Sequence, residues 1–331
     1  MSVHESSETM RTVRFHRNGE PGDVLVLDRE VIPSPAPHRI RIRVHACGLN
    51  PADWALCRGL FPGNLPRGIG LEVSGVVDAV GSDVTDVRIG DPVLGTADYA
   101  GSASAGASDY AIMNHWTHIP AGLDFVDAAA LPMAVETAFR SLDTFGVASG
   151  NTLLVHGAGT TVGFAAVQIG LMRGARVFAA TGTTFADRLS TFGATVTSYG
   201  DGMVDRILEI SGGALDLVLD TAPVSGVLPD LIKIVGGNPR QVFTITDFAG
   251  AKELGVRHSL GEDATLRYDI LGDFAQHAAD GKFSVPVART FALEDWRAAL
   301  DRSQSGHAHG KLVLLPGDRD VRDETTLREV S

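Results

Sequence analysis

Residues 156–163 read HGAGTTVG, directly after the apolar run TLLV and running into the helix-like VGFAAVQIGLMR. A strand that ends in a glycine-rich turn and feeds a helix brings backbone N–H groups and the positive end of a helix dipole to one point, which suits a pyrophosphate. Gly157 permits the tight turn and Gly163 lets the helix pack close to its sheet, while Gly159, Thr160, Thr161 and Val162 complete the candidate phosphate loop. Glycines alone are weak signals; the strand before and the amphipathic helix after supply the context that points to a nucleotide.

Which nucleotide is set about 20 residues further on, where an acidic side chain closing the second strand would grip the adenosine ribose hydroxyls. The sequence has Thr181 there, in ATGTTFADR. An aspartate at that place would repel a 2′-phosphate by about 4 kcal/mol at close contact and an effective dielectric near 20, and a hydroxyl would not. Thr181, Thr183 and Arg188 can hold such a phosphate through hydrogen bonds, so NADPH is the expected cofactor. Arg188 can equally face solvent on its helix, beside Asp187. Thr221, after LDLVLD, and Thr244, in RQVFTIT, complete the cofactor-binding candidates of this half.

Other clusters do less. Cys47 and Cys57 cannot build a disulfide framework and fit no metal half-site, so they read as buried or idle thiols. His115 and His118 fall in a strand at an odd spacing, and His307 and His309 have no third ligand, so neither pair is expected to hold a metal. Glu72 and Glu136 are carboxylates whose structural and catalytic readings stay open.

The elements that position these residues follow from hydrophobic period. RIRIRVHA (39–46) alternates with period two and EVSGVVDAVG (72–81) is valine-rich and closed by glycine, which predicts an antiparallel, barrel-like first third. From about residue 135, TLLVH, ARVFAAT, LDLVLD and RQVFTIT alternate with helical stretches, the pattern of right-handed βαβ units on a parallel sheet. From about 282, FSVPV, RTFAL and KLVLL read as strands again, around a helix at EDWRAALDRSQ. A β-rich domain over 1–134 and 282–331, interrupted by a doubly wound domain over 135–281, is the expected α/β architecture.

The chain has 331 residues and a net charge of -12 with scattered Lys and Arg, which argues against a nucleic-acid partner. No run of 18 apolar residues and no secretory core follows Met1, so a cytoplasmic protein with a small-molecule partner and no membrane association is expected. MSVHESSETM and GDRDVRDETTLREVS, at the two ends, read as polar tails.

Four segments in order resemble the zinc-free quinone oxidoreductase branch of the medium-chain dehydrogenase/reductase superfamily. They are ACGLNPADWALCRG (46–59), GLEVSGVVDAVGSDVTDVRIGDPVLG (70–95), LPMAVETAFRSL (131–142) and SGHAHGKLVLL (305–315). The resemblance implies a GroES-like barrel domain, a Rossmann domain, a cleft between them for NADPH and substrate, and a homodimer joined at the Rossmann sheet edges near RQVFTIT and GVRHSL. It places Asn50 near the nicotinamide as the catalytic candidate, Thr137 near the nicotinamide ribose or its phosphate, Tyr199 at the adenosine phosphoribose and Lys311 within reach of the cofactor.

Two departures stand out. The family has two glycines where this chain has Thr160 and Thr161, whose hydroxyls either bond the phosphates or leave the loop farther away, and His309 stands where the family has an arginine. Zinc-dependent relatives need a Lewis acid to polarise an alcohol oxygen. At their ligand positions this chain has Asn50, Leu71 and the stretch Ala134–Glu136, and it lacks the four-cysteine lobe, so no metal is expected. The implied reaction is hydride transfer from NADPH to a quinone or another α,β-unsaturated carbonyl. An enoyl reductase of a polyketide-like intermediate and a cofactor-binding protein with little turnover are the alternatives. The proton donor is open among Tyr99, Tyr110, Asp53 and water, and the substrate contacts fall in WALCRGLFPGNLPRG and DYAGSASAGASDY.

Overall fold

The computed structural model describes residues 8–261 and 265–317. The chain divides into two compact units, one formed by the residues up to Met133 together with those from Tyr268, the other by Ala134–Arg267.

The first unit opens with strands β1 (Thr9–Phe15) and β2 (Leu25–Val31), linked by the short helix α1 (Pro21–Val24). Then come β3 (Ile40–Leu49), α2 (Pro51–Cys57), β4 (Arg67–Gly68), β5 (Glu72–Val80), β6 (Pro92–Ala97), β7 (Tyr110–His118) and α3 (Phe125–Ala129). The alternation in β3 does what its period dictates: Ile40, Ile42 and Val44 are buried while Arg43 faces solvent. β3 pairs with both β5 and β7, which curls this sheet towards a barrel.

The second unit begins within α4 (Pro132–Phe145) and continues as β8 (Thr152–His156), α5 (Thr161–Met172), β9 (Arg176–Ala180), α6 (Ala186–Thr191), β10 (Thr195–Thr197) and α7 (Met203–Ser211). It finishes with β11 (Leu217–Asp220), α8 (Leu228–Ile234), β12 (Val242–Thr244), α9 (Phe248–Leu254) and β13 (Arg257–His258). Its six strands run parallel in the order β10-β9-β8-β11-β12-β13. Leu153, Leu154 and Val155 are completely buried, as a strand covered on both faces requires. This is the Rossmann arrangement expected from the alternating pattern.

The chain then returns to the first unit with α10 (Leu271–Ala279), β14 (Val287–Ala292), α11 (Trp296–Gln304) and β15 (Lys311–Leu315), and β15 pairs with β3. Three expectations are corrected here. The boundary falls at 267/268 rather than 281/282, because α10 packs against β7 and the ring of Phe274 meets Phe283 edge-on at 4.9 Å. FSVPV and RTFAL give one strand, not two: it starts at Val287, after Pro286, which has no N–H to give a ladder. Thr9 and Met10 belong to β1 rather than to a tail, with Met10 buried; the rest of both tails, apart from Glu8, Pro316 and Gly317, lies outside the described residues.

Candidate functional site

In the second unit, the turn from β8 into α5 is built from glycines that have no room for a side chain. Gly157 has φ +77°, and a Cβ on it would stand 2.5 Å from the N of Ala222. A Cβ on Gly163 would stand 2.3 Å from the carbonyl oxygen of Gly157, so only glycine lets α5 begin this close to the sheet. The first two helical residues, Thr161 and Val162, have N–H groups that the helix itself cannot satisfy. These are donors for an anion at the turn.

Thr160 is tied into the turn itself. Its hydroxyl caps the helix, accepting from the N–H of Gly163 at 3.0 Å and donating to the Thr221 hydroxyl at 3.0 Å. Thr221 in turn donates to the carbonyls of His156 (3.0 Å) and Gly157 (2.9 Å). Thr160 and Thr221 therefore hold the shape of the turn between β8 and α5.

At the end of β9 the chain places four of its candidates near one another. Thr181 is buried, with its N–H on the Thr197 carbonyl at 3.0 Å and its hydroxyl oxygen 2.8 Å from where a Cβ of Gly159 would be. The hydroxyl of Tyr199 lies 3.5 Å from the Cβ position of Gly182, on an exposed ring. Thr183 is exposed in the following turn. Arg188 is exposed too, yet its guanidinium rests over the ring of Phe164 at 5.1 Å, so it is a stacked cation at the rim and not a freely waving one.

A polar ladder the sequence reading missed crosses the same strand ends. Register makes His156, Asp220 and Thr244 lateral neighbours on β8, β11 and β12. The Nδ1 of His156 meets Asp220 Oδ1 at 2.8 Å, and the Thr244 hydroxyl donates to Asp220 Oδ2 at 2.8 Å. Each residue ends its strand, so the signal was present in the terminal letters of TLLVH, LDLVLD and VFT. Thr244, a cofactor candidate, thus has its hydroxyl committed to a carboxylate. Thr137 is half-buried in α4.

In the first unit, Asn50, Glu72 and Lys311 form one buried cluster. The Lys311 ammonium donates to Glu72 Oε1 at 2.5 Å and to Asn50 Oδ1 at 2.7 Å, and Asn50 Nδ2 donates to Glu72 Oε1 at 2.8 Å. The other Glu72 oxygen accepts the N–H of Met133 at 2.7 Å. Lys311 is only 2 % exposed, and its charge answers Glu72. The effect on Asn50 is to fix its amide, leaving one Nδ2 hydrogen and one Oδ1 lone pair to offer. Glu136 is a structural carboxylate, bonded to Arg140 at 2.6 Å one helical turn away.

Asp53 sits beside this cluster, fully buried, and accepts the N–H groups of Asn50 (2.8 Å), Gly70 (2.7 Å) and Leu71 (3.0 Å). Burial raises its pKa to about 6, against the pull of those three donors. Held this way it anchors the start of α2 and the approach to β5. Burial also pushes the Cys57 thiol up to about 12 and the Cys47 thiol well above its usual value.

Zinc does not fit the donor set of this chain. Leu71 has no lone pair, Asn50 is bonded within the cluster, and the ammonium of Lys311 already neutralises Glu72. Among the described residues no three His, Cys, Asp or Glu side chains stand together as metal ligands. The rings of His307 and His309 lie 6.2 Å apart, and Nδ1 of His307 is 2.6 Å from the Ser305 carbonyl oxygen.

Comparison with known proteins agrees with this anatomy. Residues 36–123 match the alcohol dehydrogenase GroES-like domain and residues 190–314 the zinc-binding dehydrogenase family model. A quinone oxidoreductase of Pongo abelii is 36% identical over 92% of this chain and 98% of its own length. A phenolphthiocerol synthesis polyketide synthase type I of Mycobacterium bovis is 31% identical over 66% of this chain, a stretch covering 10% of that much longer protein. The solved quinone oxidoreductase of Coxiella burnetii superposes with a TM-score of 0.80 at 27% identity, covering 94% of this chain and all of the other.

The chain belongs to the quinone oxidoreductase branch of the medium-chain dehydrogenase/reductase superfamily. It is an oxidoreductase of a nicotinamide-cofactor-binding family, acting on a small molecule. No helix among the described residues is long and apolar enough to cross a membrane.

Proposed function

We propose that the protein reduces a quinone or another α,β-unsaturated carbonyl with NADPH, without help from a metal ion. The observation that carries this reading is the rim of the Rossmann sheet. A glycine turn with no room for a Cβ leads into α5, while β9 is followed directly by Thr181, with no carboxylate before Asp187. The turn N–H groups of Thr161 and Val162 would hold the pyrophosphate. Thr181, Thr183, Tyr199 and Arg188 would surround the adenosine end, and their hydroxyls and single cation suit a 2′-phosphate.

When bound, NADPH supplies a hydride from its nicotinamide C4. The protein's own part is orientation and exclusion of water. Asn50, its amide fixed by Lys311 and Glu72, offers the reacting rings one N–H and one oxygen lone pair, with Thr137 at the ribose side. Because Asn50 and Leu71 stand where a zinc site would need ligands, the acceptor has to stabilise its own product anion. A quinone or enone does so by delocalising the charge. The proton then comes from Tyr99, Tyr110 or water, since Asp53 is spent on three amides.

The test is a titration of both reduced cofactors with steady-state oxidation on a panel of quinones, enones and enoyl thioesters. NADPH should be preferred, and Thr181→Asp should shift the preference towards NADH by about tenfold or more through repulsion of the 2′-phosphate. Equal use of the two cofactors by the wild type would overturn the NADPH assignment. The polyketide synthase relative favours a second reading, reduction of an enoyl thioester, which the same panel separates. Tight NADPH binding without turnover on any acceptor would leave a cofactor-binding protein. We also infer a cytoplasmic homodimer joined along the edge strand β13, which among the described residues pairs only with β12; sedimentation as a monomer at micromolar concentration would remove the dimer.

A further inference from the structure

Arg67 is the most deeply buried guanidinium of the first unit for which no acid is in reach. It is 3% exposed, and none of the described carboxylates pairs with it. Its Nη1 donates to the carbonyl of Phe61 at 2.6 Å and its Nη2 to the carbonyl of Tyr99 at a long 3.3 Å, while its Nε–H has no partner at all. The side-on fork of an arginine, Nε with Nη2, is the edge that matches a carboxylate. Three other arginines of this unit have that fork filled. Arg11 presents it to Asp109, Arg41 to Asp78 and Arg58 to Glu20, each with Nε and Nη2 on one carboxylate.

A buried cation with an unmade N–H costs free energy that an anion would return. Two loops meet at Arg67, residues 58–66 and 98–104, and the first of them covers it. Residues 61–65 are all exposed, and a Cβ at Gly63 would lie 3.1 Å from the guanidinium carbon, so the loop lies flat on the charge. Phe61, whose carbonyl Arg67 holds, has φ +54°, a conformation a phenylalanine adopts only under constraint.

We infer that Arg67 is a specificity-determining residue, which binds the anionic group of a conjugated acceptor on its Nε/Nη2 fork when loop 61–65 lifts. The inference rests on the reading of the protein as a reductase of such acceptors, and it narrows the substrate class to those carrying a carboxylate or similar planar anion.

The experiment compares 4-phenylbut-3-en-2-one with its para-carboxylate, which have the same reacting enone, using wild type, Arg67→Met and Arg67→Lys. The wild type should favour the carboxylate by about tenfold or more in kcat/KM, mostly through KM, and Arg67→Met should erase that ratio. Arg67→Lys, with a point charge and no fork, should keep only part of it. It also serves as the deciding variant if Arg67→Met does not fold. A ratio near one in the wild type, or an unchanged ratio in the variants, overturns the inference. Calorimetric binding of the two compounds is measured in parallel. Selective binding of the carboxylate that depends on Arg67, without turnover, would support the anion site while sinking the reductase reading; equal binding would sink the anion site alone.

Discussion

The two units each bury a carboxylate, and they neutralise it by different means. Glu72, in the barrel unit, is answered by the full charge of Lys311, which arrives from 239 positions away in the chain. Asp220, in the Rossmann unit, is answered by an imidazole and a hydroxyl from the adjoining strands, His156 and Thr244. An ammonium only donates, so its partner has no substitute. A hydroxyl turns, so a ladder of hydroxyls and amides can be rewired. The first cluster is stiff and fixes Asn50; the second tolerates change while holding the strand ends beside the phosphate turn.

The largest effect should therefore come from Lys311→Met, which strands Glu72 without its counter-charge and costs about 3–5 kcal/mol. Chemical denaturation would read this, and Glu72→Gln in the same chain should restore part of the loss. A cost under about 1 kcal/mol would mean that the pair is not the keystone described.

Asp53 comes next and has a pH signature. Its pKa in the fold, about 6, lies above the ordinary 3.8, so the fold favours the protonated form. Its contribution is full below about pH 4 and drains away as pH rises through about 6, a change of about 3 kcal/mol. The stability of the wild type should accordingly fall relative to Asp53→Asn across that window. Parallel curves would contradict the burial argument.

Asp220→Asn should cost only about 1–2 kcal/mol, because the amide oxygen can still take the His156 Nδ1–H while its NH2 meets a turned Thr244 hydroxyl. If it cost as much as Lys311→Met, the contrast between the two units would collapse. The smallest change is Thr160→Val, which removes the cap of α5 for about 1 kcal/mol and should weaken NADPH binding more than thermal stability.

Much of this was legible in the letters. Period two in RIRIRVHA, the solid apolar runs of the parallel strands and the glycine turn each report a local cause, and the structure has an element at each. What failed was set by distant partners or by single residues against a trend. FSVPV has strand composition, but Pro286 cannot join a ladder. The helix 271–279 looked like one more Rossmann helix because nothing in its own sequence says that it packs on β7. The pairing of Lys311 with Glu72 was hidden because the two stand 239 positions apart in the chain. Arg67 drew no notice because burial without a counter-charge is invisible to spacing.

One consequence concerns the two cysteines. Quinones and enones alkylate thiolates, and a protein that handles them risks modifying itself. Cys47 and Cys57 are the only thiols in the chain, both wholly enclosed in the barrel core, and their surroundings keep the proton on sulfur. The molecule therefore offers such electrophiles no accessible thiolate, and it should outlast prolonged exposure to compounds that would inactivate an enzyme with a surface cysteine.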